Sequence, residues 1–329
     1  MIVCNLKKGQ GLGNQLWNLA AAHQIATNSG KKCFVSNYES FKGKEFIDLT
    51  KNFLLMELDH FREISEFIPV FRERLFYDER IKYLASDYDS RIENIQVDII
   101  LEGLFQSEKY INYKSDNINK IFPLKSGFQI PNYSSSLCIL NLRGGEYKRH
   151  KDFILPESYW QSAIAYMKEN RGIEEFIVVT DDSRYAASIF PNFEIVSNSV
   201  SKCYLSLMAA KNLVVSNSTF SYFPIRASTQ NPFVIGPKYF ARHNSSQNIW
   251  ASPANLYEGW NWLDSQGDIF TTSECRAECE KLSKMYNDNY NISVDASYIS
   301  HNGVRELIPR RIRQQVKLLL SYVFPRRYG

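Results

Sequence analysis

The sequence predicts an α/β protein: two Rossmann-like domains facing a cleft, followed by a basic helical C-terminal tail. Three observations carry that expectation. Strand-like apolar runs alternate with helix-length segments, the pattern of parallel sheets with crossover helices. A chain of 329 residues is long enough for two domains of ordinary size. The stretch Lys125–Ser136, with Gly127, Pro131 and three successive serines, has the composition of a linker between two such series. The expected division is 1–130 for the first domain, 131–265 for the second and 266–329 for the tail.

In chain order, Ile2–Leu6 reads as a strand, followed by a glycine-rich turn and a helix from about Asn14 to Thr27. Lys32–Ser36 is the next apolar run. Residues 45–95 are polar and aromatic with a mostly helical pattern, and Val97–Gly103 is a further strand. The second series opens with the strand Leu137–Leu142, the helix Glu157–Asn170 and the strand Glu175–Thr180. A short helix, Arg184–Ile189, leads to the strand Phe193–Val196. Cys203–Lys211 is helical, Leu213–Ser216 is a strand, and Phe233–Gly236 is the last clear one.

Composition narrows the function classes. Hydrophobic residues at 44% and charged residues at 22% suit a soluble globular protein. The net charge is only +4, and its distribution is uneven. Val304–Gly329 holds seven basic residues against one acid, so the remaining chain is slightly acidic. A nucleic-acid role is disfavoured, because the body has neither a basic surface excess nor a recognised binding motif. Within the tail, Ile312, Val316, Leu319, Leu320 and Val323 fall at helical spacing, flanked by Arg310, Arg311, Arg313 and Lys317. Such a helix binds an anionic membrane surface or docks its apolar face on its own domain.

Cys4, Cys33 and Cys138 sit in apolar runs, which suits reduced, buried thiols. Cys275 and Cys279 are four apart on an expected helix, and no His or Cys completes a metal spacing. No metal site and no bound cofactor is therefore expected. The N-terminus enters a strand directly, without a leader pattern, and no run of ~18 apolar residues occurs. The expected location is cytoplasmic, or peripheral at a membrane's inner face.

Four segments carry chemistry, each at a strand's C-terminal end. Gly9-Gln10-Gly11-Leu12-Gly13-Asn14-Gln15 lets the backbone turn tightly and offers helix N-terminal N–H groups to an anion, or is merely a tight strand–helix turn. Its spacing is not the dinucleotide fingerprint, and no acid follows at the expected distance. Asn141-Leu142-Arg143-Gly144-Gly145-Glu146-Tyr147 places a planar guanidinium where α/β sheets bind ligands. Arg143 suits a diphosphate gripped through two hydrogen bonds, or else holds a neighbouring loop carboxylate. Asp181 and Asp182, after Val178-Val179-Thr180, suit a ribose or a guanine edge, and one of them equally suits a helix N-cap. Ser216-Asn217-Ser218-Thr219-Phe220-Ser221 supplies hydroxyls at a strand–helix junction, more of them than capping requires.

These segments resemble glycosyltransferase family 11, the α-1,2-fucosyltransferases. Gly11-Leu12-Gly13-Asn14-Gln15-Leu16 is similar to that family's Gly-Gly-Leu-Gly-Asn-Gln motif. Leu104-Phe105-Gln106-Ser107-Glu108-Lys109-Tyr110 resembles its Tyr-Phe-Gln-Ser-Glu-Lys-Tyr. Leu155-Pro156-Glu157-Ser158-Tyr159-Trp160, Ser216–Ser221 and Val234-Ile235-Gly236-Pro237-Lys238-Tyr239-Phe240 match later motifs in the same order. One motif departs. The family's His-x-Arg-Arg-Gly-Asp-Tyr reads here with Asn141 for the histidine, Gly144 for the second arginine and Glu146 for the aspartate.

The resemblance implies a GT-B fold and a metal-independent, inverting transfer of L-fucose from GDP-fucose to a galactose-type hydroxyl, α-1,2 in linkage. It implies an oligosaccharide or lipid-linked glycan acceptor of the surface-glycan or O-antigen kind. The divergent motif leaves open another GDP-deoxysugar such as GDP-colitose, or a catalytically silent glycan- or nucleotide-binding protein. Arg143 is the expected cation for the leaving β-phosphate, with Ser218, Thr219 and Phe220 beside it. Gly11, Gly13, Asn14 and Asn141 complete the expected donor set, Asn14 reaching it from the first domain, and Asp181 or Asp182 holds the nucleoside. The candidates for general base are Glu146, His150 and Asp152, each of which also reads as a solvated loop residue. His23, beside Ala20, Ala21 and Ala22, reads as packing.

Overall fold

The computed structural model describes residues 1–73, 75–78, 83–86, 88–149, 153–197, 199–240, 243, 250, 253–289 and 293–294. They form two units, one made by residues 1–113 and 117–125 with the described residues from 286 onward, the other by 114–116 and 126–285.

The first unit opens with β1 (Ile2–Asn5), whose apolar run is buried on both faces, as a central parallel strand requires. Helix α1 (Leu12–Asn28) follows. Its Leu16, Trp17, Leu19, Ala20, Ala21 and Ala22 are all fully buried; the three alanines let the helix backbone lie close to the sheet. Then come β2 (Cys33–Ser36), β3 (Leu54–Met56), α2 (Leu58–Ile64) and β4 (Val70–Arg72). A hairpin of β5 (Leu75–Asp78) and β6 (Tyr83–Ser86) precedes β7 (Ile99–Glu102) and the short α3 (Ser115–Ile121). The main sheet has the order β3-β2-β1-β7-β4, and every pairing in it is parallel.

The second unit begins with β8 (Leu137–Leu142), buried at all six positions. It continues through α4 (Glu157–Arg171), β9 (Glu175–Thr180), α5 (Ser183–Ile189) and β10 (Glu194–Val196). Helix α4 ends at Gly172, whose φ of 63° gives the left-handed turn that closes a helix and sends its N–H back to the Met167 carbonyl. Next are α6 (Val200–Ala209), β11 (Asn212–Val215), α7 (Tyr222–Ala227) and β12 (Phe233–Pro237). The unit closes with β13 (Asn261–Leu263), β14 (Ile269–Thr271) and α8 (Thr272–Asn289). The sheet order is β10-β9-β8-β11-β12-β13-β14, parallel except for the antiparallel edge strand β14. A two-residue strand of the first unit, β15 (Ser293–Val294), pairs with β5.

The core of the second unit lies between this sheet and α4. Leu140, Val178, Val214 and Ile235 from four adjacent strands pack with Tyr159, Trp160, Ala163 and Met167. Each aliphatic chain buried this fully contributes about 1.5–3 kcal/mol relative to exposure. Near the far edge, Trp250, Tyr257, Trp260 and Trp262 form an aromatic cluster. The Trp262 indole N–H donates to the Thr272 hydroxyl at 3.0 Å, so the ring is buried without an orphaned donor.

The α/β class with two parallel sheets is the expected one, and most strands fall where the apolar runs put them. Two expectations need correction. Residues 45–95 are not mostly helical: the described part holds α2 and short strands, with 3₁₀ turns at Leu49–Lys51 and Ser90–Asn94. Nor is β12 the last strand, since β13 and β14 extend the sheet beyond it. The predicted pair Cys275 and Cys279 lies on α8, both buried, and Cys4, Cys33 and Cys138 are buried as expected. Among the described residues no helix is long and apolar enough to cross a membrane. The basic tail helix falls outside the described residues.

Candidate functional site

In both sheets the chain order reverses at a definite strand pair. In the second unit it runs outward from β8 to β9 and β10, then returns to place β11 on the other side of β8. A crevice at the C-terminal ends of β8 and β11 follows from that reversal, and such switch points are where open α/β sheets bind ligands. The first unit has the same feature between β1 and β7.

Arg143 is the first residue beyond the β8/β9 pairing, and three-quarters of its side chain is buried. Its Nη1 lies 2.9 Å from Asp181 Oδ2. Asp181 uses its other oxygen to accept from the Gly144 N–H at 2.9 Å. One carboxylate thus fixes both the guanidinium and the backbone that carries it. The Tyr147 ring lies 5.5 Å beneath the guanidinium carbon, within cation–π range. Burial pushes the Tyr147 hydroxyl above its ordinary range, with the Arg143 charge and the Ser218 hydroxyl opposing.

Asp182 does different work. Its Oδ1 accepts from the Tyr185 N–H at 3.0 Å, capping α5. Lys148 pairs with its other oxygen. That hydrogen bond, reinforced by the cap, holds the carboxyl below its ordinary value. The alternatives read from the sequence, a loop carboxylate for Arg143 and a helix cap for one aspartate, are both present. Both carboxylates are engaged within the protein.

Gly144 and Gly145 are shaped by these partners. A Cβ on Gly144 would lie 2.8 Å from Asp182 Cβ and 2.8 Å from Tyr185 Cδ1, and one on Gly145 would lie 2.5 Å from Asp181 Oδ2. Position 144, where the resembled motif has its second arginine, therefore has no space for a side chain in this backbone.

Across the crevice, the loop after β11 is drawn tight by its own hydroxyls. The Ser216 N–H continues the ladder to the Asn141 carbonyl at 3.1 Å. Ser218 Oγ accepts from the Phe220 N–H at 3.2 Å, and Ser221 Oγ donates to the Ser218 carbonyl at 3.0 Å. Ser218 is buried, whereas Thr219 and Phe220 are half-buried. Asn141 donates to the Val179 carbonyl at 3.1 Å. Three buried atoms here have no hydrogen-bond partner among the described residues: Asn141 Oδ1, Arg143 Nε and Ser216 Oγ. Leaving a buried polar atom unpaired costs about 1–3 kcal/mol. Each of these atoms is open to a water or to a ligand group.

In the first unit, Gly11 N-caps α1 without a side-chain cap, so the backbone N–H groups of the first turn, where Gly13 lies buried, face no capping side chain. Asn14 Oδ1 accepts from Gln106 Nε2 at 3.0 Å, joining the first turn of α1 to the loop after β7 at the switch point. Gln15 is structural: fully buried, it donates to the Ser40 carbonyl at 2.7 Å and accepts from the Lys42 N–H at 2.9 Å. Burial alone pushes Glu102 upward, but Lys7 at 3.0 Å and Arg72 at 2.9 Å outweigh it and hold the carboxyl below its ordinary value. His23 packs beside the Phe53 ring at 5.7 Å, and burial lowers its pKa.

Glu146, one of the base candidates, is exposed. His150 and Asp152 fall outside the described residues. The sequence reading did not single out Tyr147, which closes the quoted motif, or Lys148, which directly follows it, as site residues. It also passed over Gln106, whose motif was read only as a resemblance.

Gly11 offers a clean probe of the first crevice. A Cβ there meets nothing within 4 Å, and its φ of −66° suits any residue. Gly11→Ala is expected to leave the melting temperature within about 2 °C. A rise in KM without that loss, measured by steady-state kinetics beside thermal melting, would report close approach of a ligand to the α1 N-terminus.

No family profile matches the chain. The O-antigen biosynthesis glycosyltransferase WbnK of Escherichia coli is 25% identical over 297 residues, spanning 75% of this chain and 98% of that protein. Among solved structures, the NodZ α-1,6-fucosyltransferase co-crystallised with GDP is 14% identical, with a TM-score of 0.42 over 68% of this chain and 91% of that one. POFUT1 in complex with GDP-fucose is 12% identical, with a TM-score of 0.39 over 71% and 96%. The E. coli heptosyltransferase WaaC with ADP is 12% identical, with a TM-score of 0.38 over 85% and 99%.

Proposed function

We propose that this chain is a glycosyltransferase that moves L-fucose, with inversion, from GDP-fucose to a galactose-type hydroxyl of a surface glycan or O-antigen, in α-1,2 linkage. The observation that carries it is the guanidinium of Arg143, fixed by Asp181 at the switch point of the second sheet, opposite the hydroxyl loop of Ser218 and Thr219. The similarity to WbnK along nearly all of that protein's length supports the glycosyltransferase and O-antigen parts of that reading.

As the bond between sugar and diphosphate breaks, negative charge grows on the departing β-phosphate. A preorganised cation stabilises that charge without reorganising at the moment of reaction. Arg143 is preorganised, because Asp181 and the Tyr147 ring hold it before any substrate arrives. Asp181 is then a positioning residue. Ser218 and Thr219 supply hydrogen bonds from the other side of the crevice. The first unit's crevice, where Gln106 orients Asn14, is assigned to the acceptor and the transferred sugar. The acceptor is a glycan on an oligosaccharide or a membrane lipid, and the 304–329 tail is assigned to an anionic membrane surface at the cytoplasmic face.

A second reading, transfer of another GDP-deoxysugar, is favoured by one feature: the single-arginine loop in which position 144 excludes a side chain. Nucleotide specificity tests the common part of both readings. A ligand at a hundred times its Kd stabilises the fold by about 2.7 kcal/mol. GDP is expected to raise the melting temperature by several degrees, with UDP and CMP giving no shift. A shift with UDP or CMP alone would overturn the reading.

A further inference from the structure

We propose that Glu73 is a positioning residue for transfer: its buried carboxyl fixes the loop Gly103–Ser107, and through that loop the Asn14–Gln106 pair. The inference rests on the glycosyltransferase reading above and extends it to a residue outside the diphosphate crevice.

Glu73 directly follows β4, beside the C-terminal end of β7, and is 1% exposed. Its N–H donates to the Glu102 carbonyl at 2.9 Å, which sets its height on the sheet. Its Oε2 accepts two backbone donors of the loop after β7, Leu104 N–H at 2.7 Å and Phe105 N–H at 2.9 Å. A side chain at position 103 would collide with it, since a Cβ there would lie 2.5 Å from Glu73 Cβ. Phe105 has a φ of 50°, a left-handed conformation that an aromatic residue keeps only when its surroundings enforce it. Those surroundings are the Glu73 carboxyl and the ring of Tyr110, edge-on at 5.2 Å. The next residue is Gln106, whose amide donates to Asn14. Two bonds on one carboxyl oxygen therefore set the direction in which Gln106 leaves the strand.

Among the described residues the other charged and titratable groups nearby are few. The Tyr110 hydroxyl faces the carboxyl and accepts from the Asp89 N–H at 2.8 Å. Asp89 contributes negative charge but is itself paired with Arg91, whose guanidinium also reaches the Arg72 carbonyl. Glu102, with Lys7 and Arg72, lies on the adjoining strand. Burial pushes the Glu73 carboxyl up from 4.5 to about 7, with the Phe105 and Leu104 N–H groups and Tyr110 opposing and Asp89 adding to it. The sign follows from linkage. The closed, dry site holds its proton more tightly than a wetted one, so the closed loop is most favoured below about 4.5. It loses that advantage as pH rises to about 7 and is level above it.

Three readouts test this. Replacing Glu73 with leucine removes the acceptor for both N–H groups, and is expected to raise KM for the acceptor about tenfold while the Kd for GDP stays unchanged. Glu73→Gln keeps an acceptor oxygen and is expected to restore most of that loss. Amide exchange of Leu104 and Phe105 in the unaltered protein supplies a readout without catalysis. After correction for intrinsic rates, their protection should fall between pH 4.5 and 7 and then level, with no such dependence in Glu73→Gln. Unchanged acceptor KM in the folded leucine variant, or protection at Leu104 and Phe105 that ignores pH in that window, would overturn the proposal. If the exchange behaves as expected but no sugar is transferred by the protein at all, the loop role stands and the enzymatic reading fails.

Discussion

Arg143→Ala is expected to lower kcat/KM for the sugar nucleotide by about 10²–10³-fold, the cost of removing one preorganised charge-stabilising group. The fold should survive the change. Arg143 lies at the rim, with a side chain 24% exposed, and its partner Asp181 is 28% exposed, so water can solvate the carboxylate left behind. Melting temperature should move by only a few degrees while turnover collapses. Arg143→Lys separates charge from shape. Lysine keeps the cation but presents a point charge in place of a planar fork, so it should recover only part of the rate. Kinetics and thermal melting on the same preparations check both statements. An alanine variant with normal kcat/KM would remove Arg143 from the mechanism.

Gly144→Ala is expected to be almost as damaging, for a steric reason. The added Cβ would stand 2.8 Å from Asp182 Cβ, an atom one bond from the backbone that cannot swing aside, and 2.8 Å from the Tyr185 ring. Relief requires the Arg143 loop to move away from the start of α5. That movement would stretch the Gly144 N–H to Asp181 bond and carry Arg143 with it. Overpacking of this kind costs about 1–3 kcal/mol. The expected result is a melting temperature lowered by several degrees together with weaker GDP stabilisation. The Gly11→Ala change, made where a Cβ meets open space, is the control for the melting temperature alone.

The contrast between those glycines shows what the sequence can and cannot convey. Both stand in glycine-rich motifs at strand ends, and nothing local distinguishes one from the other. What separates them is a second chain segment, Asp181–Tyr185, brought against Gly144 by the parallel pairing of β8 with β9. Strands buried on both faces were legible because burial demands an unbroken apolar run: β8 and β9 have the limits their composition gives them. The edge was not. β3 is three residues long with Leu54 and Leu55 exposed, and β13 and β14 are equally short, so none offers enough residues to show a period.

The candidate site was legible in the same measure. Asp182 and Tyr185 are three apart, and a cap of that spacing can be read locally. The grip of Asp181 on Arg143 spans two strands and was one of two open readings. Glu73 could not have been found. It is an acid in a polar stretch whose pattern looked helical, and only the position of β4 next to β7 turns it toward the loop it holds.

The most direct test is transfer itself. The protein is incubated with GDP-fucose and a panel of galactose-terminated acceptors, while GDP release and product mass are followed together. The account predicts GDP released in step with a product heavier by one deoxyhexose, and neither event in Arg143→Ala. Protein that is stabilised by GDP yet moves no sugar from GDP-fucose or any other GDP-deoxysugar to any acceptor would contradict it.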